Sequence, residues 1–311
     1  MKIIFMIRPL CLWASSFVFA FNGYAEERAA GGEFYYSADS ENFSSRRISA
    51  DFMTSFSHLN EKTGVIYTDY DFSKDSWSRR GQQVRIVSDH IDAKTADGWR
   101  VSTGIFRQSS NDLLTLDSSY RKTLSSGHAI EVFANRDFVE TQTGLENGTH
   151  FNFVGASGDF ILNPHFTLVG LAGFQSFSDE NQRRHGRMRL IYQPSLDQGL
   201  TFQLRYRYYD DSKNNVGGAY FNPTSYQETM LAVGWRQRVN NWRTALTAGV
   251  GTQKIAQDAS SITQLLEASA ERQQAHYSLR LRAGYSNATG AAATTTDYWY
   301  SYVSSELLIP F

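Results

Sequence analysis

Between residues 298 and 311, apolar side chains fall on every second position. Trp299, Val303, Leu307, Ile309 and Phe311 make one row, and Tyr298, Tyr300, Tyr302, Ser304 and Glu306 make the other. Successive side chains of a strand point to opposite faces, so this run reads as a β-strand with one apolar and one wet face. A chain built from many such strands must pair or close their edges. That leaves a sandwich or a barrel.

Sixteen runs alternate in this way. The first eight cover 33–39, 46–58, 63–72, 81–91, 98–108, 113–122, 128–136 and 150–162. The rest cover 165–177, 184–193, 199–210, 225–238, 242–254, 261–272, 275–286 and 297–311. Tight polar connections (Asn60-Glu61-Lys62, Ser125-Ser126-Gly127, Asn163-Pro164, Leu196-Asp197-Gln198, Asn240-Asn241, Gln273-Gln274) suit one end of a barrel. Longer ones at 73–80, 137–149, 178–183, 211–224 and 287–296 suit the other, expected to lie outside the cell. Residues 137–149 have room for an extra strand. Leu265, Leu266 and Ala270 recur at helical spacing, but an even strand number, which keeps both chain ends on one side, requires a strand at 261–272. After residue 25 no stretch of about 18 apolar residues occurs, which excludes a spanning helix. The expected fold is all-β: a single antiparallel transmembrane β-barrel of about 16 strands over residues 26–311.

Residues 1–25 read as a secretory signal peptide. Lys2 and Arg8 precede and flank an apolar run from Leu10 to Phe21, and Gly23-Tyr24-Ala25 supplies small residues for cleavage after Ala25. Cleavage removes Cys11, the single cysteine, and with it any disulfide or thiol chemistry. The full chain has 30 Lys and Arg against 31 Asp and Glu, and losing Lys2 and Arg8 makes it more acidic. That balance argues against a nucleic-acid partner. The 17 Tyr, 21 Phe and 6 Trp suit an outer apolar band bordered by aromatic girdles.

Faces follow from the apolar rows. In 199–210, Leu200, Phe202, Leu204, Tyr206 and Tyr208 point out, which turns Gln203, Arg205 and Arg207 inward. An arginine against mid-bilayer lipid costs about 2–4 kcal/mol, so charge is assigned to the lumen. The inward set then holds Arg187, Arg189, Arg236, Arg238, Arg280 and Arg282 on strands 10–15. In the first half it holds Asp51, Asp69, Asp71, Asp117 and Glu131, with Arg85, Arg100 and Arg121 among them. A basic wall is expected opposite a more acidic one. With strands about 4.8 Å apart, Arg187, Arg189, Arg205, Arg207, Arg236 and Arg238 are expected to form one patch. Tyr209 and Tyr220 are candidates for stacking on sugar rings, with Arg205, Arg207, Arg236 and Arg280 donating hydrogen bonds.

The last run resembles the closing strand of bacterial outer-membrane β-barrels, whose terminal aromatic is read by the assembly machinery. That resemblance implies that Phe311 is an assembly signal and that the chain meets the barrel-assembly machinery, outer-membrane lipid and lipopolysaccharide. From about Phe138 onward the chain looks like the barrels of exopolysaccharide-secretion porins, which export cellulose and poly-N-acetylglucosamine, and related YaiO-type barrels. The resemblance is carried by Phe177-Ser178-Asp179-Glu180-Asn181 with Arg183, by Tyr208-Tyr209-Asp210-Asp211, by Gly218-Ala219-Tyr220-Phe221-Asn222-Pro223 with Tyr226, and by Trp235-Arg236-Gln237-Arg238 with Trp242. Glu180 stands where the family usually has Gly. The exporters also carry a periplasmic helical-repeat domain, and since no helical repeat of about 34 residues is expected before this barrel, the resemblance implies a separate periplasmic export partner. It implies passage of a polysaccharide through the lumen, with Ser178, Asp179, Asn181, Arg183, Phe221 and Pro223 in the loops over the exit.

No catalytic constellation is expected. In His276-Tyr277-Ser278, His and Ser share a face, but that face carries Arg280 and Arg282 and is therefore luminal. The seven His show no metal-ligand spacing. Asp210, Asp211 and Asn214 read as solvated loop groups rather than a Ca²⁺ site, and nothing pairs Asp179 with Asp211 as acid and base. The expectation is a non-enzymatic channel without cofactor or metal, conducting a hydrophilic polymer such as an exported polysaccharide. The alternatives are an uptake porin, general or solute-specific, and a non-conducting structural or adhesive barrel.

Overall fold

The computed structural model describes residues 27–108, 111–124, 127–213, 215–288 and 298–311. The expected signal peptide, Ser125 and Ser126 of one turn, Asn214 and most of the loop expected at 287–296 lie outside the described residues.

Sixteen strands close into one antiparallel barrel in sequence order. They are β1 (Glu27–Asp39), β2 (Phe43–His58), β3 (Glu61–Lys74), β4 (Trp77–Ile91), β5 (Gly98–Gln108), β6 (Asn111–Thr123), β7 (Ala129–Phe138) and β8 (His150–Asn163). There follow β9 (Phe166–Phe177), β10 (Gln182–Tyr192), β11 (Leu200–Asp211), β12 (Tyr226–Val239), β13 (Trp242–Ile255), β14 (Ser261–Gln274), β15 (Tyr277–Ser286) and β16 (Tyr300–Pro310). Each expected run is a strand, the ambiguous 261–272 included. Residues 137–149 hold a short helix rather than a strand, α1 (Gln142–Asn147). Thr141 caps it by accepting the Gly144 amide, and Gly148 ends it at φ +64°.

The seam between β16 and β1 runs in continuous register from Ala29 opposite Pro310 to Asp39 opposite Tyr300. The Phe311 amide extends it by bonding to the Arg28 carbonyl at 2.8 Å, and the Phe311 ring lies exposed on the outer face beside Phe52. The Asn240-Asn241 turn places both residues at positive φ, +48° and +69°, the geometry that lets a two-residue hairpin follow the strand twist.

The outer face carries a band of exposed aliphatic and aromatic side chains, among them Val65, Ile86, Ile105, Leu114 and Leu231, the last 65% exposed. An apolar surface on this scale needs a partner phase, and for a closed barrel that phase is lipid.

Two expectations fail at the loop end. Residues 73–80 are not a loop: β3 and β4 continue until only Asp75 and Ser76 turn the chain. Asp69 and Asp71 also face outward, not into the lumen. Ile66, Thr68, Tyr70 and Phe72 are the buried, inward row of β3. Asp69 accepts the outward Tyr67 hydroxyl, and Asp71 pairs with Arg46 at 2.7 Å. The strands here rise above the apolar band, so charge on the outer face meets water and the rule that sends charge inward no longer applies.

Candidate functional site: a charged lumen under a folded loop cap

Two loops fill the loop end of the lumen. The β7–β8 loop carries α1 inward, where Leu145 packs with Phe43, Tyr70, Phe72, Phe106 and Phe138. Its carbonyl accepts from Gln108 at 2.7 Å, and Glu140 pairs with Arg47 of β2. The β11–β12 loop lays Tyr220 on Phe177 with centroids 4.2 Å apart and planes 11° from parallel. Thr141 donates to the Ala219 carbonyl at 2.6 Å and ties the two loops together.

The loop motifs singled out in the sequence build this cap. Arg183 and Asp211 are register partners across β10 and β11, both side chains fully buried, and Arg183 Nε donates at 2.8 Å. Asn181 donates to the same carboxylate at 2.9 Å, and Arg183 also donates to the Phe221 carbonyl. The guanidinium lies 5.3 Å from the Phe177 centroid and 4.8 Å from that of Tyr209. The Tyr220 hydroxyl donates to Asp179 at 2.8 Å. Burial, reinforced by that carboxylate acceptor, holds the Tyr220 phenol well above its usual range. Pro223 is buried and Ser178 stays exposed, accepting the His150 amide at 3.1 Å. Glu180, where the resemblance leads one to expect Gly, sits at φ +69°. That backbone is the reason a glycine belongs there.

Two roles are corrected by these contacts. Tyr209 is buried between Tyr226, stacked at 4.6 Å, and the Arg183 guanidinium, and Tyr220 is buried on Phe177, so neither ring has a face for a sugar. Asp211 is no solvated loop acid. Among the described residues no His, Asp, Glu or Cys cluster is arranged to hold a metal ion.

Beneath the cap lies a cavity of about 560 Å³. Strands β10–β15 turn Arg187, Arg189, Arg205, Arg207, Arg280 and Arg282 onto it, and Glu228 and Glu267 of the same wall line it with them. Arg187 stands directly opposite Arg207, and Arg189 opposite Arg205. Arg207 pairs with Glu228 at 2.8 Å and donates to the Tyr226 hydroxyl at 2.7 Å, while Arg205 donates to Gln203 at 2.9 Å. The facing wall is mixed: Arg47, Lys62 and Arg85 line it with Glu33, Asp89, Asp117 and Glu306. Asp51 is buried behind it. The basic wall is present, but the wall opposite is only slightly acidic, because Asp69 and Asp71 are not part of it.

Arg236 and Arg238 leave the expected patch. They have the inward parity of β12, yet β12 meets β11 with Met230 opposite Arg205 and Trp235 opposite Leu200, the first residue of β11. Six residues separate Arg236 from the level of Arg205, about 20 Å along a strand, so both side chains are exposed at the turn rim. The sequence held the signal: they precede the Asn240-Asn241 turn by four and two residues. Arg280 faces in but is committed elsewhere. It pairs with Glu271 at 3.0 Å and Glu306 at 2.9 Å, and Lys62 joins it on Glu306. Glu131 faces in nearer the turn rim, opposite Arg121, which pairs with Asp159 at 2.7 Å.

No protein-family model matches the sequence, and no curated protein does. Among solved structures the chain is similar to one described as a bacterial polysaccharide outer membrane secretin. The likeness has a TM-score of 0.67 at 12% identity and covers 93% of this chain and 100% of that one. OprD from Pseudomonas aeruginosa matches over 96% of this chain and 98% of its own, with 11% identity and a TM-score of 0.45. An anion-selective porin from Comamonas acidovorans matches over 92% and 99%, with 10% identity and a TM-score of 0.41. The first likeness establishes the fold, that of an outer-membrane β-barrel; the other two are too loose to add to it.

Proposed function

We propose that the chain is a passive outer-membrane channel for a hydrophilic oligosaccharide or polymer, with export of a polysaccharide as its task. The observation that carries this reading is the cavity: a closed barrel, apolar outside, encloses a charged space lined unequally by arginine. A lumen whose only role was to fill space would be packed with apolar or neutralised side chains. The secretin described above supports the export direction, and the exporter-type motifs in the cap agree with it. Outer-membrane lipid, lipopolysaccharide and the assembly machinery are the surroundings this reading requires, and a separate periplasmic protein delivers the polymer. The contacts in the lumen are noncovalent, and the reading includes no enzymatic step.

The test is single-channel recording of the refolded protein in planar bilayers, beside deletion of the gene in its host. Ion conductance with loss of surface polysaccharide is the expected result. Conductance with a growth defect on a particular saccharide would turn the reading to uptake. A second reading, a non-conducting surface barrel, is favoured by the buried Arg183–Asp211 cap. Absence of current both in the parent protein and after loosening of the cap by Tyr220→Ala would establish it.

A further inference from the structure

The cavity has a feature that its charges do not explain. Tyr302 of β16 lies flat across its neighbour on β15: a Cβ on Gly284 would meet Tyr302 Cε1 at 2.3 Å, Cζ at 2.9 Å and Oη at 3.1 Å. Gly284 and Tyr302 are register partners, so only the missing side chain lets the ring rest there. Tyr35 and Tyr300 extend the surface across the seam. Tyr302 stacks against Tyr35 at 6.2 Å and 17° and against Tyr300 at 6.1 Å and 29°, and the hydroxyls of Tyr35 and Tyr300 are bonded to each other. All three line the cavity and are half-buried, with protein behind them and the lumen in front.

Charge surrounds this shelf on the side of the basic wall. Glu267 is the partner of Gly284 from the other side, which puts Glu267, Gly284 and Tyr302 in one row. Arg205, Glu267 and Arg282 line the same cavity, and Arg282 stands on β15 two residues before Gly284. An aromatic face offers its negative π-cloud to the slightly positive C–H edges of a flat apolar ligand surface. A neighbouring arginine cluster favours an anion.

We propose that Tyr302, Tyr35 and Tyr300 form a ring-binding subsite for an acidic saccharide. The C–H face of a pyranose rests on the shelf, Glu267 accepts a hydroxyl hydrogen bond, and the sugar's anionic substituent turns toward Arg205 and Arg282. This assignment rests on the reading of the lumen as a saccharide path and specifies its substrate class. Tyr302 and Gly284 take the part first given to Tyr209 and Tyr220.

The test uses the full-length barrel refolded in detergent micelles and titrated with trigalacturonate, neutral cellotriose and cationic chitosan trimer. Trigalacturonate is expected to bind at least about tenfold more tightly than cellotriose. Gly284→Ala, which pushes the Tyr302 ring off the strand, and Tyr302→Leu, which removes the ring without crowding, should each weaken binding by about tenfold at unchanged heat-modifiable gel migration. Arg205→Gln should erase the preference for the acid and leave cellotriose unaffected. Equal affinity for acid and neutral trimers, or tightest binding of the chitosan trimer, overturns the acidic class. Unaltered binding by Tyr302→Leu overturns the shelf. Binding in micelles without current in bilayers refutes the channel and keeps the subsite, whereas current without binding does the reverse.

Discussion

On their luminal face, strands β10 and β11 pair arginine at two levels, one above the other, and by opposite rules. At the loop end Arg183 meets Asp211 and both are sealed from water. About 13 to 20 Å further down, Arg187 meets Arg207 and Arg189 meets Arg205, like charge opposite like, on the wall of the cavity. Like charges directly opposite each other weaken a strand pair, whereas a buried pair with its lone pairs satisfied is costly only to break. The upper level uses charge to fasten a cap. The lower sets like charges face to face against the strand-pairing rule, which is where a functional demand is expected to override a local rule.

Breaking the upper level should have the largest effect. Arg183→Ala leaves the Asp211 carboxylate buried beside Asn181 alone and should lower stability by about 3–5 kcal/mol in urea unfolding from bilayers. It should also raise conductance as the cap loosens. A loss below about 1 kcal/mol would mean that the buried pair is no more structural than a surface one. Glu180→Gly probes the same level in the other direction. It frees a side chain from left-handed backbone and gives up only an exposed pair with Lys213, so a gain of roughly 1 kcal/mol is expected. No gain would show that φ +69° is unstrained there.

The lower level should respond least in stability and most in selectivity. Arg189→Gln with Arg205→Gln should leave unfolding unchanged or raise stability by roughly 0.2–1 kcal/mol, and should move the reversal potential toward cations. Arg236→Gln, out at the turn rim, should move neither. A stability loss in the double variant would place both levels under one rule and end the contrast.

The sixteen strands were legible because one physical demand, apolar outward and polar inward, repeats every second residue along the membrane. It stops being legible where that demand stops. Above the apolar band Arg46, Asp71 and Arg80 decorate the outer face, so by pattern alone the strand ends resemble loop and Asp69 resembles a luminal residue. The alternation gives the parity of Arg236 and Arg238, while their distance from Asn240 and Asn241, not parity, sets their height. The roles of Tyr209 and Tyr220 depended on how two loops fold back into the barrel, and no local pattern carries that. Alternation puts Tyr302 on the wet face of the last strand, but its shelf requires Gly284, which becomes its neighbour only through pairing.

The seam gives that shelf a history in time. Tyr35 and Tyr300 are 265 residues apart and meet only when β16 finds β1. Every other strand pair joins neighbours in sequence, so this ladder bears nearly the whole entropy of closing the chain on itself and is expected to form last. Until then β1 and β16 are open edges, ready to pair with any strand in reach. The contacts of Tyr35 with Tyr300 and Tyr302 therefore report completion: they require β1 beside β16, and so arise in the step that makes a sheet into a barrel.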